Sequence, residues 1–248
     1  MYNTFIFRPL YNGLVGLMDI LPWIDVGIAV ILFTIIIRLV LFPLSKNALL
    51  TQVRMKAVEP EANKIKAEYA NNRQLQGVKI MELYKSKSIK PFSGVLLLII
   101  QLPILLALIS IFYKITPTVD STILYSFIHI PDAKPFLLGL DLTKPNIVLS
   151  LVTAIIQFFQ MHYSLASRQH REMVAKNGQT NSTDFSANFA NSMNTQMKYL
   201  LPIIAFASTY WLIPLKFPQA ASIIAIYWSV SSLFTLGQEL YIRKKHLK

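Results

Sequence analysis

The 248-residue sequence contains no cysteine and only 12 acidic residues, half as many as its 24 lysines and arginines. Without cysteine the chain has no disulfides, no thiolate metal ligands, no cysteine nucleophile and no lipoprotein-type anchor. No acidic residue lies well inside a long apolar run, because Asp25 and Glu239 stand at the edges of two such runs. Acid–base catalysis and proton or ion pumping both call for a buried carboxylate and are therefore disfavoured.

Two further chemical signatures are missing. The sequence has no glycine-rich loop that could cradle a phosphate, and its four histidines form no close pair at metal-ligand spacing. The histidines are His129, His162, His170 and His246. We interpret them as surface or interface residues. The sequence thus predicts a protein that is not an enzyme and that uses neither a cofactor nor a metal ion.

Long apolar segments are what the sequence has in abundance. Hydrophobic residues make up 54% of the chain, and the mean hydropathy is +0.46. A hydrocarbon core about 30 Å thick needs roughly 20 helical residues. On this basis we assign five transmembrane spans, at 24–44, 92–113, 147–166, 197–213 and 220–240. The predicted fold class is an all-α polytopic membrane protein that forms one domain over residues 1–248.

The segments between the spans differ in character. Residues 1–22 place leucines and a methionine at helical spacing, which predicts an amphipathic helix lying in the membrane interface. Residues 46–90 carry ten basic residues and short helical stripes, which predicts a cytoplasmic helical hairpin between spans 1 and 2. We assign residues 114–144 to an extracytoplasmic loop, 167–196 to a polar cytoplasmic loop and 241–248 to a basic cytoplasmic tail.

The basic residues are distributed unevenly between the two sides of the membrane. With five spans, the hairpin, the loop after span 3 and the tail lie on one side and hold eighteen lysines and arginines, against five on the other side. The positive-inside rule places the basic side in the cytoplasm, with the N-terminus outside and the C-terminus inside. This distribution accounts for much of the net charge of +12, so a specific nucleic-acid surface is not required.

One cation, Arg38, lies inside the first span. An arginine near the middle of a membrane helix costs about 2.5–3.5 kcal/mol, and the fourteen large apolar residues of the segment outweigh this cost with about 4–8 kcal/mol. At 100° per residue, Gly27, Thr34, Arg38 and Ser45 fall close to one line along the helix. From this helix alone two interpretations stay open. Either Arg38 snorkels to the headgroups while the small residues pack a neighbour, or it is a functional charge in a polar cavity.

Polar residues also follow three other spans. Gln101 interrupts span 2, and span 5 carries Trp228, Ser231, Thr235 and Gln238 at helical spacing. Span 3 has five polar residues within an arc of about 80°, namely Ser150, Thr153, Gln157, Gln160 and Ser164. Taken singly, such residues usually serve helix packing. If the stripes converge, they form a wet, positively charged cavity that suits a transient partner bringing polar or acidic groups into the membrane.

Several longer motifs occur in combination. They are FRPLYNGL, LPWIDVGIAV and TIIIRLVLFPLS near the N-terminus, MKAVEPEANKIKAEY and LYKSKSIKPFSG in the hairpin, LLIIQLPILLALISIF in span 2, and YWSVSSLFTLGQ in span 5. None of them is specific alone. Together they cover nearly the whole chain, which resembles the YidC-type bacterial membrane protein insertases of the YidC/Oxa/Alb family. The family often has an asparagine where this chain has the pair Ser231-Ser232, so a hydrogen bond by that amide is not expected.

The resemblance implies a five-span core with a groove that is open to the cytoplasm and to lipid but closed on the outer side. Carried over by position, the substrate-binding residues of this groove are Arg38, Thr34, Gln101, Gln157, Trp228 and Ser231. Arg38 would supply its positive charge. The implied partners are nascent membrane proteins and membrane lipids, together with the ribosome and the Sec translocon.

The function implied is that of an insertase or chaperone in the bacterial cytoplasmic membrane, which captures nascent hydrophobic segments and releases them into the bilayer. The residues themselves also allow a small polytopic channel or transporter, with the polar stripes lining a through-pore. A structural assembly factor that only holds subunits together is a third possibility.

Overall fold

The computed structural model describes residues 2–115, 119–163 and 199–246. Within these ranges the chain is mainly helical. Its helices are α1 (Arg8–Ile20), α2 (Val26–Val40), α3 (Phe42–Ala57), α4 (Glu59–Glu68), α5 (Arg73–Ser86), α6 (Ser93–Ile115), α7 (Ile147–Tyr163), α8 (Tyr199–Lys216) and α9 (Ala221–His246). A turn of π-helix, Asn3–Phe7, precedes α1. Two short strands, β1 (Phe136–Leu137) and β2 (Leu140–Asp141), pair antiparallel between α6 and α7.

Several of the helices have the length and composition of membrane spans. Among the described residues, α8 and the Ala221–Ile242 part of α9 are each long and apolar enough to cross a membrane. The helices α2 and α3 meet the same condition only if the bent pair is taken as one span. Shorter apolar helices occupy Ile99–Ile115 and Ile147–Tyr163. The all-α membrane class is therefore confirmed, whereas the count of five spans stays a prediction. Residues 164–166 of the predicted span 3, the loop 167–196, the first two residues of span 4 and the last two of the tail lie outside the described residues.

The first apolar run is bent instead of straight. α2 ends at Val40 and α3 begins at Phe42, and the two helices meet at 62°. Pro43 lies directly after the break, where its ring and its missing N–H group disrupt an α-helix. α3 then continues to Ala57, so the helix crosses the predicted boundary between the first span and the hairpin. Ser45 consequently leaves the line that Gly27, Thr34 and Arg38 share.

A buried hydrogen-bond network holds α3 against α9. The Gln238 Nε2 atom donates to Ser45 Oγ over 2.7 Å and lies 3.3 Å from the carbonyl oxygen of Phe42. Both side chains are at least nine-tenths buried. Because a buried polar group without a partner costs about 1–3 kcal/mol, this pairing stabilises one arrangement of the bend. α3 also packs along α6, so it contacts both α6 and α9.

Helix α9 lies at the centre of the bundle. Of its apolar stretch 56% is buried, against 22% for α8, and it packs along both α2 and α7. Ala220, Ala221 and Ala225 are fully or almost fully buried, and such small residues let helices approach closely. The Thr153 hydroxyl of α7 contacts the carbonyl oxygen of Ala225 at 3.0 Å and the Ser229 hydroxyl at 2.9 Å.

Residues 119–146, which we call the cap, lie over the N-terminal ends of α2 and α9. The Val26 N–H group donates to the Lys134 carbonyl oxygen over 3.0 Å, and the Ser222 hydroxyl donates to the Lys144 carbonyl oxygen. From α1, the buried Asn12 side chain donates to Ile123 O and accepts from Tyr125 N–H. The cap is thereby bonded to three helices.

The N-terminal helix is amphipathic, as predicted, and its apolar face contacts protein. Tyr11, Leu14, Val15 and Met18 are buried against α2 and α6. The position of α1 in the membrane interface stays a prediction.

Helices α4 and α5 pack side by side. The Gln76 amide donates to the Lys66 carbonyl oxygen over 2.8 Å near the connecting turn, and the Lys87 ammonium lies 3.1 Å from Glu61 Oε1 at the other end. Residues increasingly far apart in sequence are thus paired, which is the pattern of two antiparallel helices. The side of the membrane on which they lie remains a prediction.

Gly27 is where the cap approaches α2 most closely, and a side chain there is expected to destabilise the fold. A Cβ atom on Gly27 would stand 2.6 Å from Leu137 Cβ and 2.9 Å from the Phe136 carbonyl oxygen. We expect Gly27→Ala to cost about 1–3 kcal/mol, as overpacking does. Thermal unfolding in detergent measures this, with Gly77→Ala as the control, because a Cβ on Gly77 in α5 meets nothing within 4 Å. Equal or higher stability of Gly27→Ala would contradict the close contact.

Candidate functional site

Arg38 lies on α2, three residues before the bend. Its side chain is half-buried, and it belongs to none of the ion pairs formed between described residues. Glu239, the buried acid of α9, lies near the cytoplasmic end that the sequence predicts for that helix. An arginine side chain offers five N–H donors in a planar fork, so the N–H groups of Arg38 can bind an anion that comes from outside the described chain.

Thr34 lies one turn before Arg38 and is hidden. It is 2% exposed, and its hydroxyl donates to the Val30 carbonyl oxygen over 2.6 Å within the same helix. A hydroxyl that bonds its own backbone in this way satisfies its donor. Thr34 therefore gives the helix a small surface beneath Arg38 and presents little polar area of its own.

One face of α9 gathers polar groups opposite α6 and α3. The Gln101 amide of α6 donates to the Tyr227 hydroxyl over 2.9 Å, and Gln238 reaches Ser45 of α3. Ser231 lies about 40° round the helix from Tyr227 and Gln238 about 20°. We call these three residues of α9, Tyr227, Ser231 and Gln238, the polar face. The predicted residues Gln101 and Ser231 are thus brought to one side of α9.

Ser231 stands out within the polar face. It is 3% exposed, and its Oγ atom has no hydrogen-bond partner among the described residues. Its own carbonyl oxygen accepts from the Thr235 hydroxyl at 2.9 Å. A buried hydroxyl without a partner costs about 1–3 kcal/mol, so Ser231 is a polar group that this packing leaves unsatisfied.

The other two predicted residues lie elsewhere. Trp228 is half-buried and packs against the apolar core, about 100° round α9 from Tyr227. Gln157 follows Thr153 by one turn on α7, so it faces the side of α9 that carries Ser229. Ser229 is about 200° from Tyr227, and Gln157 and Gln101 are therefore on opposite sides of α9.

The sequence did not predict the hydrogen bond of Tyr227 with Gln101 or the pairing of Ser45 with Gln238. In the sequence Tyr227 is part of an apolar run. Its hydroxyl becomes a hydrogen-bond acceptor only because Gln101 of a distant segment faces it. A pattern within one helix gives the spacing of Gln238, and the bend decides that its partner is Ser45. Among the described residues no group of histidines and acids is arranged to hold a metal ion.

Apolar helices pack around a central helix, as in a polytopic membrane protein. Its polar features are a half-buried cation with no partner among the described residues and a polar face on a neighbouring helix. Comparison with known sequences narrows this class. The chain belongs to the 60Kd inner membrane protein family, whose model matches residues 18–248.

Similar proteins agree with this membership. The chain is 29% identical over 222 residues to the membrane protein insertase YidC of Fusobacterium nucleatum, which covers 88% of this chain and 86% of that protein. It is 27% identical over 227 residues to the insertase of the same name from Clostridium tetani, covering 92% and 86%. The relative from Wolinella succinogenes is 26% identical over 250 residues, which is 98% of this chain but 38% of that longer protein.

Proposed function

We propose that this protein is a membrane protein insertase, which receives hydrophobic segments of nascent proteins and releases them into the lipid bilayer. The observation that carries the proposal is the half-buried Arg38 without a partner among the described residues, on a helix that bends just beyond it. The family membership and the names of the relatives support the same activity. The proposed partners are nascent membrane proteins and membrane lipids, together with the ribosome and the Sec translocon.

In the proposed topology five spans cross the bacterial cytoplasmic membrane. The bent pair α2 and α3 contributes the first, followed by α6, α7, α8 and α9. The N-terminus then lies outside, and the basic hairpin of α4 and α5 and the C-terminus lie in the cytoplasm. The excess of basic residues on the cytoplasmic side supports this orientation.

The proposed groove lies on the side of α9 that carries the polar face. Arg38, Gln101 and Ser231 are its polar groups, with Thr34 beneath Arg38, and Trp228 borders it. Gln157 lies on the other side of α9, so we propose that it contributes less to substrate binding than the other groove residues. The close contact between Gly27 and Leu137 supports closure of the groove at its outer end by the cap.

The chemistry of the groove suits a segment that carries a polar or acidic flank. Moving a carboxylate from water into hydrocarbon is very costly, and a hydrated cavity with a cation lowers this barrier. Arg38 holds the flank while the apolar segment moves into lipid. That transfer supplies the driving force, about 0.3–0.6 kcal/mol for each large apolar residue.

Reconstitution of the purified full-length protein into liposomes tests the proposal. A single-span substrate with an acidic N-terminal tail should become protease-protected in these liposomes and not in empty ones. A photocrosslinker at Gln101 should capture the substrate, whereas one at the neighbouring Leu102, which is 58% exposed on the outside of the bundle, should not. Equal capture from both positions would contradict the proposed groove, and no insertion above empty liposomes would contradict the activity.

The same preparation separates the insertase from a channel. A through-pore along the polar residues should give steady conductance in a planar bilayer without substrate. The insertase with a closed outer end should give none. An assembly factor would show neither conductance nor insertion by the purified protein.

A further inference from the structure

A second polar site lies at the far end of α6, away from Arg38. A cavity of about 570 Å³ opens between the N-terminal π-helical turn, the start of α1 and the last turns of α6. Asn3, Thr4 and Arg8 line one wall, and Ser110 and Lys114 line the other. The cavity is therefore made by segments more than a hundred residues apart, and it carries two cations.

Arg8 is held in a fixed orientation with its outer nitrogens free. Its Nε–H group donates to the Ile123 carbonyl oxygen over 3.1 Å, and its guanidinium carbon lies 5.2 Å from the centre of the Tyr125 ring. These two contacts leave the Nη groups without an acceptor among the described residues. A guanidinium group that presents two parallel N–H donors matches the oxygens of a phosphate.

Lys114 supplies the second cation. Its Nζ atom lies 3.3 Å from Asp120 Oδ2 and 5.9 Å from the centre of the Phe7 ring, with other N–H directions left open. Hydrogen bonds from the Thr122 hydroxyl and backbone N–H, with a smaller effect of Lys114, lower the pKa of Asp120, so its carboxylate stays charged. Arg8, Lys114 and Asp120 together leave one positive charge at the cavity.

The surroundings place the cavity at headgroup depth. Tyr2 and Phe5 are exposed beside it, and Tyr113 packs edge-on against Phe217 at 5.6 Å one residue before Lys114. Aromatic and basic side chains of this kind mark the level of the membrane interface. Leu106 and Leu102 lie one and two turns before Ser110 on α6 and are 59% and 58% exposed. The distance from Leu102 to Lys114 is about 18 Å along a helix, close to half of the 30 Å hydrocarbon core.

We propose that this cavity binds the phosphate group of an anionic glycerophospholipid, whose acyl chains lie along Leu102 and Leu106 of α6. The Nη groups of Arg8 and the ammonium of Lys114 hold the phosphate oxygens. A zwitterionic lipid binds more weakly because its own ammonium group meets two cations. The site goes beyond the proposed insertase activity and does not depend on it. Bound lipid would join α1 to α6 and keep the cap in place.

Native mass spectrometry of the delipidated full-length protein in detergent tests the proposal. The probes are phosphatidylglycerol, phosphatidylcholine with the same acyl chains, and glycerol 3-phosphate. Phosphatidylglycerol should bind at least about fivefold more tightly than phosphatidylcholine, since the cavity has one net positive charge and each such charge near a membrane surface contributes roughly 1 kcal/mol. Glycerol 3-phosphate, which lacks the acyl chains, should bind far more weakly than phosphatidylglycerol. Equal affinity for both lipids would overturn the proposal, and tight binding of glycerol 3-phosphate would identify a site for soluble phosphates instead.

Three variants locate the binding. The double change Arg8→Gln with Lys114→Gln should abolish the preference for phosphatidylglycerol. Ser110→Phe fills the cavity from the exposed side of α6 and leaves both charges in place. It should weaken the binding of phosphatidylglycerol about as much as the double variant does. Lys134→Gln removes an exposed charge from the cap outside the cavity and should change nothing. Full binding by Ser110→Phe, or an equal loss in Lys134→Gln, would overturn the site even if the double variant unfolds.

Discussion

Replacing Arg38 with alanine is expected to reduce the insertion of a substrate with an acidic tail by about 10- to 100-fold. A hydrogen bond to a charged group contributes about 1.5–3 kcal/mol, and each 1.36 kcal/mol corresponds to a factor of ten in rate. Since no described residue neutralises Arg38, this contribution is available to the substrate. Protease protection in liposomes measures the rate. Arg38→Lys should retain only part of the activity, because lysine keeps the positive charge but cannot form the bidentate hydrogen bonds that a guanidinium group makes to a carboxylate.

Two controls make this result specific. A substrate with a neutral tail should be inserted by Arg38→Ala nearly as well as by the wild-type protein, since it presents no carboxylate. Arg54→Ala removes the same charge from an exposed position on α3 and should leave both substrates unaffected. If Arg38→Ala inserts the acidic substrate at the wild-type rate, capture of the flank by this charge is wrong. If both substrates fail equally, Arg38 serves the fold instead of the substrate.

Replacing Leu137 with aspartate is expected to open the outer end of the bundle. Leu137 is half-buried against the core, and its Cβ would lie 2.6 Å from a Cβ on Gly27 of α2. A carboxylate at this contact has no partner and needs water, at a cost of about 1–3 kcal/mol or more to the packing of the cap. Steady conductance in planar bilayers, absent from the wild-type protein, should therefore appear in Leu137→Asp.

Leu138 offers a matched control for this change. It is the next residue, it is 86% exposed, and its φ angle of 50° lies in a region that aspartate tolerates well. Leu138→Asp should conduct no more than the wild-type protein. If Leu137→Asp remains as closed as Leu138→Asp while its melting temperature falls, the cap stabilises the bundle without closing the groove. If the wild-type protein already conducts, a through-pore replaces the closed groove.

Several properties of the molecule could be predicted from the sequence because they depend on each residue separately. Insertion into a bilayer sums the contributions of individual side chains, so the apolar runs define an all-α membrane protein before any contact is known. Helical periodicity is equally local, and it correctly marks the amphipathic face of α1, where Leu14 and Met18 are buried. The same periodicity places Ser231 and Gln238 on one face of α9.

The tertiary structure decided how these faces meet, because contacts between distant segments depend on packing and not on spacing. The bend before Pro43 removes Ser45 from the line of Arg38 and pairs it with Gln238. Thr153 turns the polar side of α7 toward Ser229, which separates Gln157 from Gln101. The sequence by itself determined the class, the apolar runs and the arginine inside the first of them. Only the folded chain decided which polar groups share a side of α9, that Leu137 covers Gly27, and that Arg8 and Lys114 line one cavity.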